Sequence, residues 1–193
     1  MTSSATDVFL NMPFEPEGRY RDLLVAYVSG LAGLGFTARS VLELPQHIHR
    51  LDRLRKIIEA CASSVHDLSC VSLTKGCPRF NMPFELGLAV SRPSARWFAF
   101  EAQPFRLQMT LSDLNGHDPL VHGGRPREVI VKLHQVFRNA RRATTAAELL
   151  AMHADVRRLA ALIERDQGSL LGARSFADLV VGAQKIARRR GLI

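Results

Sequence analysis

The chain has 193 residues, 47% hydrophobic and 23% charged, with 13 Gly and 9 Pro, which excludes a disordered or low-complexity polymer. Its formal net charge of +8 is unevenly placed: residues 1–124 carry 12 basic and 12 acidic side chains, and residues 125–193 carry 14 and 6. The length fits one domain of about 100–200 residues with an appendage, so the composition divides the chain into 1–124 and a basic segment 125–193. Residues 1–7 have neither the basic nor the apolar region of a secretory leader. Cys61, Cys70 and Cys77 are odd in number and lack a CxxC pattern, so free thiols in a reducing cytoplasm are expected, and no disulfide framework or metal site.

In chain order, Val8–Leu10 is a short apolar run ended by Asn11-Met12-Pro13, the pattern of a strand buried on both faces. Helical spacing of Leu23, Leu24, Tyr27, Val28, Leu31 and Leu34 predicts a helix over 20–34, stopped by Gly35. The uncharged stretch Leu23–Ala38 covers 16 residues including three glycines, too short for a membrane span and suited to a core helix with its turn. A second strand is expected over 36–44, a helix over 51–63 with Leu51, Leu54, Ile57, Ile58 and Cys61 on one face, and a third strand over 65–73. A short helix follows over 82–91, then a strand at Trp97–Phe100, a helix over 105–114 and a brief strand at 119–121.

This alternation implies βαβ units and a mostly parallel sheet, whose ligands sit at the carboxyl ends of the strands. The loops at those ends are Asn11–Arg19, Pro45–Arg50 and Leu68–Asn81, with His47 and His49 in the second. From Pro126 onward the pattern is helical only, with apolar faces at Val129, Leu133, Val136 and Phe137, then Leu149 through Ile163, then Phe176–Ile186. Exposed apolar faces there would suit self-association. The arginines of this segment alternate with acids and lack interleaved aromatics, so a solvated helix face is expected in place of a nucleic-acid surface. His117, Asp118 and His122 lack the spacing of a compact zinc site.

One pentapeptide occurs twice, Asn11-Met12-Pro13-Phe14-Glu15 and Asn81-Met82-Pro83-Phe84-Glu85. Glu85 falls one residue late for a capping box with Asn81, and Gly87 leaves room for close approach to the backbone. Asp67 lies at the end of an apolar strand, where an acid needs a hydrogen-bond partner: the backbone, Ser69 or a ligand hydroxyl.

The run Ala62-Ser63-Ser64-Val65-His66-Asp67-Leu68-Ser69, followed by Asn81 to Ala89 with its Glu85-Leu86-Gly87-Leu88-Ala89, resembles the signature of the nucleoside 2-deoxyribosyltransferase-like superfamily, which is related to TIR-type domains. Phe9 to Phe14 is similar to that family's first-strand loop, and the resemblance spans about residues 7–103. It implies an α/β, flavodoxin-like Rossmannoid sheet of about five parallel strands, here with a C-terminal α-helical extension. It also implies N-glycosidic chemistry on a nucleoside, nucleotide or NAD-like molecule without a resident cofactor. Glu85 would then be the nucleophile and Asp67 its assistant, while Asn11, Pro13, Phe14, Arg19 and Asn81 would receive the substrate. Asn11-Met12 stand where the family has glycine, and Ser63 or Ser64 where it has an acid. A non-catalytic nucleotide sensor or TIR-like interaction module is therefore the alternative.

Overall fold

Side-chain alternation in the first strand, β1 (Ser4–Asn11), sets the layers: Val8 and Leu10 enter one apolar cluster and Phe9 the opposite one. These relations come from a computed structural model, which describes residues 4–15, 18–44, 49–69, 73–74, 77–78, 80–93, 95–114, 116–137 and 143–193. The other strands are β2 (Thr37–Arg39), β3 (Cys61–Asp67), β4 (Arg96–Glu101) and β5 (Leu120–Val121). Among the described residues they form one five-stranded sheet in the order β2-β1-β3-β4-β5, every pair parallel. The fold is thus the expected α/β, flavodoxin-like arrangement with C-terminal helices. A two-residue antiparallel pair, Leu73–Thr74 with Cys77–Pro78, stands apart from it.

The helices are α1 (Arg19–Gly33), α2 (Arg50–Ala60), α3 (Asn81–Val90), α4 (Arg106–Thr110), α5 (Pro126–Val136), α6 (Ala146–Gln167) and α7 (Ala173–Arg189). Residues of α2 and Ala89 of α3 pack with Phe9 in the smaller cluster, whereas α1, α5, α6 and α7 share the larger one with Met82 and Leu86 of α3. Helix α1 is buried from Leu23 to Gly33, which accounts for the absence of charge in that stretch, the charged Arg19, Arg21 and Asp22 lying in its first turn. A Cβ on Gly30 would stand 2.7 Å from a Leu133 methyl, and one on Gly33 would stand 2.5 Å from a Leu149 methyl. These two glycines let α5 and α6 lie close against α1. Ser29 Oγ meets His153 Nδ1 at 2.9 Å across the α1–α6 contact, and the Arg21 guanidinium pairs with Glu164 of α6. Burial lowers His153 to about 4, so it is neutral there.

Several element ends differ from the sequence expectation; the third strand, for one, stops at Asp67 and not at residue 73. The second strand ends at Arg39, because Ser40 and Glu43 form a capping box that starts a 3₁₀ turn over Val41–Glu43. Helix α2 ends at Ala60 and β3 begins at Cys61, four residues earlier than the spacing suggested. The cause is tertiary: the Arg92 guanidinium, beyond α3, donates to the carbonyls of Ile58, Glu59 and Cys61 at 2.5, 3.1 and 3.0 Å. Those contacts cap α2 from outside. No helix among the described residues is long and apolar enough to cross a membrane.

Candidate functional site

In the order β2-β1-β3-β4-β5, connections leave β1 and β3 in opposite directions, so the switch point lies between these two strands. A cleft of about 710 Å³ opens near this edge. Met12, Pro13 and Phe14 after β1 form one wall, and Val41, Leu42 and Leu44 after β2 a second. Asn81 and Glu85 of α3, Arg50 at the start of α2, and Leu171, Gly172 and Ala173 at the start of α7 complete it. The two copies of the pentapeptide therefore border the same cleft. They are also joined directly: Asn11 Nδ2 donates to the Met82 carbonyl at 2.9 Å.

Glu85 is the buried acid of this cleft. It is 6% exposed, and its Oε2 has no hydrogen-bond partner among the described residues. Burial pushes its carboxyl up to about 7, against the opposing pull of the Arg50 charge. Asn81 does not cap α3: Phe80 holds the N-cap position, and Asn81 is the exposed first helical residue beside the cleft.

Asn11 is 1% exposed and acts from behind the wall. Its amide donates one hydrogen to Met82 and the other to His66 Nδ1 at 2.9 Å, which leaves His66 Nε2–H for Ser64 Oγ at 2.9 Å. Burial holds His66 near 3, so the imidazole is neutral and can accept as this pattern requires. Asn11 thus locks β1, β3 and the first turn of α3 together.

Asp67 does not reach the cleft. It is fully buried at the end of β3, where Oδ1 accepts from the Ser69 backbone N–H at 3.0 Å and from the Ser69 hydroxyl. Its Oδ2 accepts from the Tyr27 hydroxyl at 3.0 Å and lies 3.4 Å from His122 Nε2. Burial would raise this carboxyl, but hydrogen bonding and charge from His122, with the two Ser69 donors, hold it below its ordinary value. The carboxylate is already satisfied by protein groups, which accounts for an acid in that strand without a ligand.

Arg19 also stands away from the cleft lining. Its guanidinium lies over the Tyr20 ring, 5.1 Å from the centroid, and donates to the Tyr20 hydroxyl at 3.2 Å. His49 is an exposed left-handed residue preceding α2, and its neighbour Arg50 takes the place on the cleft; His47 lies outside the described residues. Sequence reasoning missed Leu171–Ala173, whose only local signal was the glycine-marked turn between two tail helices. His117 packs on Trp97, with ring centroids 4.7 Å apart, and His122 belongs to the Asp67 network. Among the described residues, no group of three or more His, Cys, Asp or Glu is placed to hold a metal ion.

No protein-family model, curated protein or solved structure matches the chain.

Proposed function

We propose that this protein binds a nucleoside, nucleotide or NAD-like molecule in the cleft and cleaves or transfers its N-glycosidic bond through Glu85. The observation that carries this reading is the Glu85 carboxyl, buried on the cleft wall with one oxygen unpartnered. A carboxylate held in this way is desolvated and has a lone pair available to an electrophilic carbon. Attack by Glu85 on the anomeric carbon forms a glycosyl ester as the C–N bond breaks and its electron pair leaves with the base. Water or a second base then attacks the same carbon and releases Glu85. The apolar wall of Met12, Pro13, Phe14 and Leu42 suits a planar, weakly polar ring.

A binding-only reading is favoured by one observation, the withdrawal of Asp67 into its own buried network. Without it, Glu85 is the only carboxylate among the described residues of the cleft lining. Such a site can hold a nucleotide while lacking an acid to protonate the departing base.

Incubation with nucleosides, nucleoside monophosphates and NAD, followed by chromatography for free base, separates the two. Catalysis predicts base release that falls by a factor on the order of 10³ or more in Glu85→Gln. Release that is absent from every substrate, or unchanged in Glu85→Gln, overturns it. Saturable binding without release establishes the sensor.

A further inference from the structure

Among the described residues, the C-terminal segment lines the cleft at the turn that opens α7. Leu171, Gly172 and Ala173 line it together with Arg50 and Glu85. Helix α7 runs 17 residues from Ala173, its N-cap is Gly172, and no side chain caps its first amides. Its first turn contains no acid, so the positive end of the helix dipole is not neutralised from within the turn. Ser175 Oγ serves the backbone N–H and carbonyl of Gly172, both at 3.1 Å, which leaves the Ala173 and Arg174 N–H groups to other acceptors. A helix start alone would be weak grounds for a site. Here it shares a cleft with a second sign of a missing ligand, the 94% buried Glu85 whose Oε2 has no partner among the described residues.

We propose that the α7 start and the Arg50 guanidinium form an oxyanion-receiving pole in the cleft that contains Glu85, so that the ligand is a small molecule bearing a phosphate or carboxylate group. Arg50 offers a forked donor and α7 offers backbone N–H groups, the two devices by which proteins hold such anions. The remaining uncharged part of the ligand then meets the apolar wall and presents a hydroxyl or amine proton to Glu85 Oε2. This deepens the function proposed above, since it rests on the same cleft, but it does not depend on glycosidic bond cleavage. It also gives the basic segment a role at the site itself.

The test uses the full chain, with amide resonances followed by NMR during titration with inorganic phosphate and, separately, acetate. Saturable shifts at Gly172–Ser175 are expected with at least one anion. Ala173→Pro removes one N–H while fitting the first helical position, and Gly172 already has the extended backbone, φ −89° and ψ 154°, that a following proline requires. Ala173→Pro and Arg50→Gln should each weaken anion binding about tenfold or more, whereas Lys185→Gln, an exposed cation of α7 outside the cleft lining, should change it less than about twofold. Arg50 is exposed, so its variant remains informative if the proline variant misfolds. Failure of both anions to saturate, shifts confined to Arg188–Arg190, or affinity unchanged in Arg50→Gln overturns the pole. Anion binding with these sensitivities but no base release from any substrate sustains the pole and removes the glycosidic chemistry. Base release from uncharged nucleosides without anion binding does the reverse.

Discussion

Glu85 is held in a state that costs the fold stability at neutral pH. Its carboxyl is raised to about 7 in the folded chain from an ordinary 4.5, so between those values the native state holds a proton that the unfolded chain has lost. Stability therefore falls as pH rises through this window, and above it the full cost is present. Glu85→Gln removes the charge and should stabilise the protein by about 1–3 kcal/mol at pH 8, with the gain fading toward pH 5. Chemical denaturation at the two pH values checks this, and equal effects at both would show that Glu85 is not desolvated. If Glu85 is the nucleophile, kcat/KM for base release should rise with pH and level off above about 7, because only the carboxylate attacks. Asp67 is the contrast: a buried acid with donors from Ser69, Tyr27 and His122 is held ionised, and its burial reflects satisfied hydrogen bonding, not a waiting substrate.

At the scale of elements, the close approach of α1 to α6 depends on what Gly33 lacks. A side chain there would run into Leu149 Cδ2 at 2.5 Å and Met152 Sδ at 3.1 Å. Gly33→Ala should cost about 1–3 kcal/mol despite the better helix propensity of alanine, measured as a lower urea midpoint with an unchanged m-value. A neutral or stabilising outcome would mean that α6 can shift away without loss. The same scale shows why element ends were less legible than elements. The apolar spacing of α1 and α2 was visible in the sequence, whereas the Thr145–Glu148 capping box that starts α6 emerged only with the structure. The end of α2 was not, because its capping group is Arg92, more than thirty positions away in the chain.

For the molecule as a whole, residues 125–193 supply one wall of the core that surrounds α1. Leu133, Leu149, Met152, Phe176 and Leu179 share a cluster with Leu23, Leu24 and Leu31, and the Ser29–His153 and Arg21–Glu164 contacts tie α1 to α6. A chain ending at residue 124 would expose this face of α1. It should lose its cooperative thermal transition and aggregate; a sharp melt of that fragment by circular dichroism would overturn the prediction. The positive charge of the segment is also partly answered internally, since Arg158 and Arg190 both reach Asp155. Among the described residues, Arg127, Arg157, Arg165, Arg174, Lys185 and Arg188 are exposed on helices, while Leu171–Ala173 lines the cleft.

By itself the sequence determined the class of fold. Hydrophobic period is a local property, and it distinguished buried strands from amphipathic helices and from the fully buried α1 before any contact was known. It also singled out Glu85, Pro13, Phe14 and Asn81, which the fold gathers at one cleft beside the carboxyl ends of the strands. Tertiary structure decided the rest. It enclosed Asp67 between a hydrogen-bonding hydroxyl and an imidazole 40 and 55 positions away, turned Asn11 from a rim residue into a brace for α3, and brought Arg50 and the start of α7 to the cleft. A buried polar group is fixed by the partners that satisfy it, and distant partners leave no trace in the local pattern of residues.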